Sequence, residues 1–198
     1  LSFCAMTLSF SQLTQKSFRI EGNGIFGTYG SNGYAGGQLG ARWLVGDRVG
    51  LRYNFDLLYR GNTHRHVHTP MGLVGGPILI ALGLNRSLDS DSTTGGGWSI
   101  LSGILLLALP EGISFHQALG DRFEVSPYAN ILGIDFIRNR DTGDSNVKYA
   151  CSFGGQITAR LFSNLTAQAF VETRKAAGVP WGLGAGFGLG WVFGMKSE

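Results

Sequence analysis

The stretch from Val49 to Arg60, VGLRYNFDLLYR, places a large apolar or aromatic residue at every odd position and mostly charge, amide or glycine at the even ones. Successive side chains of a β-strand point to opposite sides of the sheet, so a period of two describes a strand with one greasy and one polar face. A soluble barrel with its apolar face turned inward shows the same alternation. One strand alone therefore does not say which face meets solvent.

The pattern recurs almost everywhere outside one central block. Phe18, Ile20 and Phe26 alternate with Arg19, Glu21 and Asn23; Leu39, Ala41 and Trp43 with Gln38 and Arg42; Phe123 and Val125 with Glu124 and Ser126. Tyr149, Cys151, Phe153 and Ile157 alternate with Lys148, Ser152, Gln156 and Arg160, and Leu165, Ala167 and Val171 with Thr166, Gln168, Glu172 and Arg174. Finally Trp181, Leu183, Phe187, Trp191 and Phe193 oppose a nearly unbroken glycine series.

Two features turn the greasy face outward. The alternating runs are about 10 to 14 residues long, the length of membrane-spanning strands and well above the usual globular strand. The greasy face also carries Trp43, Tyr53, Phe55, Tyr59, Phe153, Trp181, Phe187, Trp191 and Phe193. That volume overfills the inside of a small barrel but suits a lipid-facing belt with aromatic girdles. The polar face then lines the lumen, where Arg19, Glu21, Arg42, Arg52, Asp56, Arg60, Glu124, Arg160, Glu172 and Arg174 are expected to form a charge network that plugs it. Glycines of the last strand are expected to leave room for the long Arg and Glu side chains opposite.

Composition is consistent with this and excludes other classes. The 198 residues are 43% hydrophobic and only 15% charged, with 32 glycines, which is too apolar for a disordered chain. The net charge of +3 is spread singly among acidic neighbours, so no nucleic-acid-binding patch exists. Residues 1–11, LSFCAMTLSFS, read as the remnant of a secretory signal peptide with a small-x-small site at Ser9-Phe10-Ser11, leaving 12–198 as a single barrel domain. Phe3 stands where a lipoprotein signal needs a small residue before Cys4. Without the signal, Cys151 is the only cysteine, and no intrachain disulfide is possible.

Tight turns are expected at Gly46-Asp47-Arg48, Gly120-Asp121-Arg122 and Phe162-Ser163-Asn164, with longer polar loops at 61–69, 139–146 and 175–180 between them. With this alternation of short and long connections, the chain resembles the small outer-membrane β-barrel proteins of Gram-negative bacteria, and among them uncharacterised barrels of the Bacteroidota. The resemblance covers about residues 17 to 194 and is carried most specifically by Leu109 to His116, LPEGISFH, and by the glycine and aromatic final strand. It implies an outer-membrane location and an antiparallel up-and-down barrel, and it brings no functional residue with it. Such barrels often end on an aromatic residue, whereas here Phe193 is followed by Gly194-Met195-Lys196-Ser197-Glu198.

The insertion at 70–110 departs from the pattern, with two wholly apolar runs, MGLVGGPILIALGL and WSILSGILLLAL, around a polar stretch. Each is shorter than a spanning helix, so they read as short helices or as two further strands. If the turns at 46–48 and 120–122 lie on the same side, the block must hold an even number of strands. Zero makes an eight-stranded barrel with an apolar helical insertion, the favoured reading, and two make ten.

Candidate chemistry is sparse. His64, His66 and His68 share one face of an extended segment, a spacing at which neutral imidazoles can hold a metal such as zinc or copper. Ser114 and His116 also share a face, near Glu111 and Glu124, and are the candidate pair for nucleophilic catalysis. No cofactor is expected, since the glycines near 182–186 alternate as a strand and open no phosphate-binding helix. Three functions follow in order. The first is a structural or interaction role for a plugged barrel, with outer-membrane lipid, lipopolysaccharide or a larger outer-membrane complex as partner. A small pore or transporter is the second and a lipid-modifying enzyme the third.

Overall fold

The computed structural model describes residues 17–46, 48–61, 63–88 and 93–194. The expected signal remnant at 1–11, Asp47 of the first turn and the polar stretch 89–92 lie outside the described residues. Ten strands and two helices follow one another: β1 (Phe18–Tyr29), β2 (Asn32–Leu44), β3 (Val49–Arg60), β4 (His64–Pro70), α1 (Met71–Leu88), α2 (Thr93–Ala108), β5 (Gly112–Phe115), β6 (Gln117–Leu119), β7 (Phe123–Asn139), β8 (Ser145–Arg160), β9 (Leu165–Ala176) and β10 (Gly182–Phe193). All pairings are antiparallel, and β1 pairs along its whole length with both β2 and β10. Closure of first strand on last removes the sheet edges that long apolar strands would otherwise expose.

The ten strands make eight staves, because one stave is broken. β4 occupies its upper part, pairing His64–His68 with Asp56–Arg60 of β3, and β5 its lower part, pairing Gly112–Phe115 with Val49–Arg52. β7 runs beside both, and beside β6, with a register shift between Asn130 and Gly133 at the level of the break. From that break, half-way up the wall, α1 and α2 leave as a hairpin. The block at 70–110 thus contributes two helices and no complete stave, which is the eight-stranded alternative.

The loops expected at 61–69 and 139–146 are shorter than expected, and that at 175–180 lies at 177–181. At the end of the barrel away from Phe18 and Phe193, here the far end, the connections span only 30–31, 61–63, 140–144 and 177–181. Those at the near end span 45–48, 120–122 and 161–164, so the two ends are alike. Polar residues such as Asn139, Asn146 and Lys175 read as loop, but backbone pairing carries the strands past them.

Alternation divides the wall as the period of two requires. Trp43, Phe55, Tyr59, Phe153, Trp181, Phe187, Trp191 and Phe193 point outward and are exposed, with Tyr53 half-buried. The inner face is mainly polar, apart from a cluster of Ile25, Tyr29, Tyr34, Leu58 and Phe170 toward the far end. The inward glycines serve chiefly these rings, and the expected service to Arg and Glu is secondary. A Cβ on Gly182 would lie 2.8 Å from the Tyr29 ring, and one on Gly154 2.7 Å from the Tyr128 ring; Gly186 abuts Phe170 in the same manner. Gly184 stands beside Glu172 as well as Tyr34, and Gly40 and Gly190 stand beside Glu21.

The hairpin is held by glycine too. Gly76 of α1 lies against the Gly103 carbonyl of α2, and Gly83 against that of Gly96; a Cβ at either α1 position would come within 2.8 and 2.7 Å. The seven-residue repeat on both helices lets the backbones touch, the packing typical of helix pairs in lipid. Neither helix is long and apolar enough to cross a membrane. Leu73, Ile78, Leu82, Trp98, Ile104 and Leu105 are exposed on its outside.

Candidate functional site

The inside of the barrel carries four polar groups and a vestibule. Near the lower end, strand register sets Arg19, Arg42 and Arg52 side by side on three neighbouring strands. Glu21 forms an ion pair with Arg42 at 3.0 Å, and Glu124 meets Arg19 at 3.4 Å. Arg52 lies 3.7 Å over the Tyr128 ring, a cation–π contact. All of these side chains are buried. Higher up, Arg174 pairs with Asp56 and, at 3.3 Å, with Glu172, which also accepts the Tyr128 hydroxyl at 3.0 Å. Arg60 and Arg160, expected among the enclosed charges, instead stand half-buried at the far and near mouths.

Ser114, His116 and Glu124 are brought into line. The Ser114 Oγ lies 2.8 Å from His116 Nε2, and His116 Nδ1 2.9 Å from Glu124 Oε1. This is the hydrogen-bond order of a nucleophile, base and orienting acid. Gly50 makes the space, since a Cβ there would come within 2.8 Å of the Ser114 Oγ. Ser114 and Glu124 have no exposed surface, Ser126 also bonds Glu124, and Arg19 neutralises it. The acid of this line is Glu124; Glu111, which sequence placed beside the pair, is used elsewhere.

Glu111 closes the break in the wall. Where the helical hairpin departs, β3 and β7 lose their neighbour, and an unpaired backbone N–H in such a place is costly. The Glu111 N–H donates to the Arg52 carbonyl at 2.9 Å, its carbonyl accepts the N–H groups of Ile131 and Leu132, both at 2.9 Å, and its carboxylate accepts the Asn54 N–H at 2.8 Å. One residue thus does the pairing of a missing piece of strand. Outside, the Tyr53 hydroxyl donates to the Ala108 carbonyl at the end of α2 (2.9 Å). Inside, the remaining carboxylate oxygen of Glu111 lies 2.7 Å from His68 Nε2, while His68 Nδ1 is 2.6 Å from Asp135. Asp135 escaped the sequence reading because it is 67 residues from His68.

The three histidines expected as metal ligands find separate partners. His64, His66 and His68 do lie on one face of β4, but each is engaged differently: His64 Nδ1 with the Thr63 hydroxyl at 2.7 Å, His66 stacked on Tyr29 at 5.7 Å, and His68 between two carboxylates. Among the described residues no group of three or more His, Cys, Asp or Glu converges to hold a metal ion.

No family model and no curated protein matches the chain. Solved structures do. The N-terminal β-barrel domain of Pseudomonas aeruginosa OprF superposes with a TM-score of 0.55 at 14% identity, covering 90% of this chain and 98% of that one. Neisserial surface protein A gives 0.50 at 7% identity, covering 89% and 94%. Ail, the attachment invasion locus protein of Yersinia pestis, gives 0.50 at 12%, covering 89% and 97%. At these identities the likeness is one of fold, the small closed antiparallel barrel.

Proposed function

We propose that this chain is an integral protein of the bacterial outer membrane with a structural or interaction role, its lumen plugged by its own charges and its helical hairpin engaging lipid or a membrane partner. One observation carries the reading. The barrel is apolar around its whole outside and charged inside, and an exposed belt of Phe, Trp, Leu and Ile on every side exceeds any patch a soluble monomer tolerates. Reversing the faces would place Arg19, Arg42, Arg52 and Arg174 in hydrocarbon, at about 2–4 kcal/mol for each arginine near the midplane.

The hairpin fits the same setting. It springs from mid-wall, where only hydrocarbon can surround it, and its outside is apolar along most of its length. Asn85 and Arg86 lie near the end of α1, where an oblique path would bring them to the membrane surface. The far end is the basic one: Arg65, Arg138 and Arg140 are exposed and Lys148 and Lys175 half-buried there, against Asp141 and Asp144. Such a rim suits contact with the phosphates of lipopolysaccharide.

A cysteine scan along 49–60 in membranes, on a Cys151→Ser background, tests the reading. Positions 53, 55 and 57 are expected to take a lipid-confined thiol reagent, and 52, 54 and 56 to resist it. Odd positions closed to the lipid reagent would make the protein a soluble barrel. The aligned Ser114, His116 and Glu124 favour a second reading, a lipid-modifying enzyme. A fluorophosphonate that labels the wild-type protein and not Ser114→Ala would support it, and no labelling would leave the three as part of the plug.

A further inference from the structure

The far-end mouth holds a vestibule that the plug does not use. A cavity of about 210 Å³ is lined there by Arg60, Lys148, His64, His66 and the amides of Asn139 and Asn146, and a second of about 270 Å³ adjoins it, sharing Arg60 and His64. Its floor is unusual. His66 is 2% exposed, yet neither of its ring nitrogens has a hydrogen-bond partner within the protein, although buried polar groups are nearly always paired. Its place is fixed by stacking on Tyr29 (5.7 Å between ring centres), and the residue lines the cavity while carrying unused donor and acceptor capacity.

The charges around it are unbalanced. Arg174 beneath is paired with Asp56 and Glu172, so it is spoken for. Arg60 and Lys148, both half-buried, have no ion pair among the described residues. The single carboxylate on the lining is Asp144, which already accepts the Thr142 hydroxyl at 2.7 Å.

We propose that this vestibule binds a phosphate monoester group, with Arg60 and Lys148 supplying the charge and His64, His66, Asn139 and Asn146 the neutral contacts. Arg60 and Lys148 together outweigh the Asp144 carboxylate on the same lining, which leaves net positive charge for a group that carries about −1.5 to −2 near neutral pH. Several donors converging from β3, β4, β7 and β8 suit an oxyanion with three acceptor oxygens better than a planar carboxylate with two. The site goes beyond the structural role proposed above and does not require it, because it is built from the barrel mouth alone.

The four histidines of the chain make the test internally controlled. In the full-length chain in maltoside micelles, inorganic phosphate is expected to shift the ring resonances of His64 and His66 saturably and to leave those of His68 and His116 unmoved. Acetate is expected to shift none. In the double variant Arg60→Gln, Lys148→Gln the affinity should fall at least about tenfold for the pair, while unchanged His68 and His116 signals show that the barrel is intact. A second arm uses nanodiscs of phosphatidylcholine with and without phosphatidic acid. A response to inorganic phosphate identifies a soluble phosphate compound as ligand, and a response to phosphatidic acid alone identifies a lipid headgroup; either supports the site. No response in both arms, an equal response to acetate, or full retention in the double variant overturns it.

Discussion

Glu111 shows how much one residue can carry where a strand is interrupted. Its main chain and carboxylate together satisfy Asn54, Ile131 and Leu132 and hold His68, and Glu111, Asn54 and His68 are all buried. Removing one partner of such a group leaves the others desolvated and unpaired. Glu111→Ala is therefore expected to lower barrel stability by about 3–5 kcal/mol in urea titrations in micelles. Glu111→Gln keeps an oxygen for the Asn54 N–H and should cost about 1–3 kcal/mol. Equal losses would mean that the carboxylate's hydrogen bond to the wall is without consequence. The residue was visible in LPEGISFH as a charge beside a glycine, but its partners lie on strands remote in sequence.

The helical hairpin is an element the barrel does not need for its own pairing. α1 and α2 pack on each other through Gly76, Gly83, Gly96 and Gly103, and meet the barrel only around their root, where Tyr53 takes the end of α2. β4 and β5 find their partners in β3 and β7 without it. A variant in which a short glycine linker replaces 71–108 is thus expected to fold to the same closed barrel, judged by heat-modifiable mobility on gels. Failure to fold would make the hairpin part of the barrel's assembly. If it folds, the hairpin's apolar outer surface is not needed to build the barrel.

At the scale of the whole molecule, eight staves enclose a lumen lined largely by polar and charged side chains. Arg19, Glu21, Arg42, Glu124, Asp56, Glu172 and Arg174 meet across it, with Asn23, Gln38 and Gln168 linked between them. The expected outcome in planar bilayers is no steady conductance from the wild-type chain. Steady, ohmic openings would favour the pore reading. Replacing Arg42 and Arg52 together with alanine removes two large buried side chains whose Nε and Nη1 atoms have no protein partner, and is the change most expected to admit ions.

Sequence alone determined the barrel and the direction of its faces, because a period of two over runs this long is a local property, repeated strand after strand. Parity of the turns reduced the insertion to two alternatives. The outward Trp43 and Phe187 and the inward Arg42 and Glu172 were legible one residue at a time. Tertiary structure decided what depends on register and closure: that 71–88 and 93–108 are helical and leave half-way through a stave, that Glu111 mends the gap, and that Glu124 is the acid in line with His116. It also decided that the connections at the two ends are alike and that Asp135 and Glu111 flank His68. Those facts come from strands meeting across the barrel at separations such as 67 and 105 residues, and a local pattern carries no information about which rung meets which.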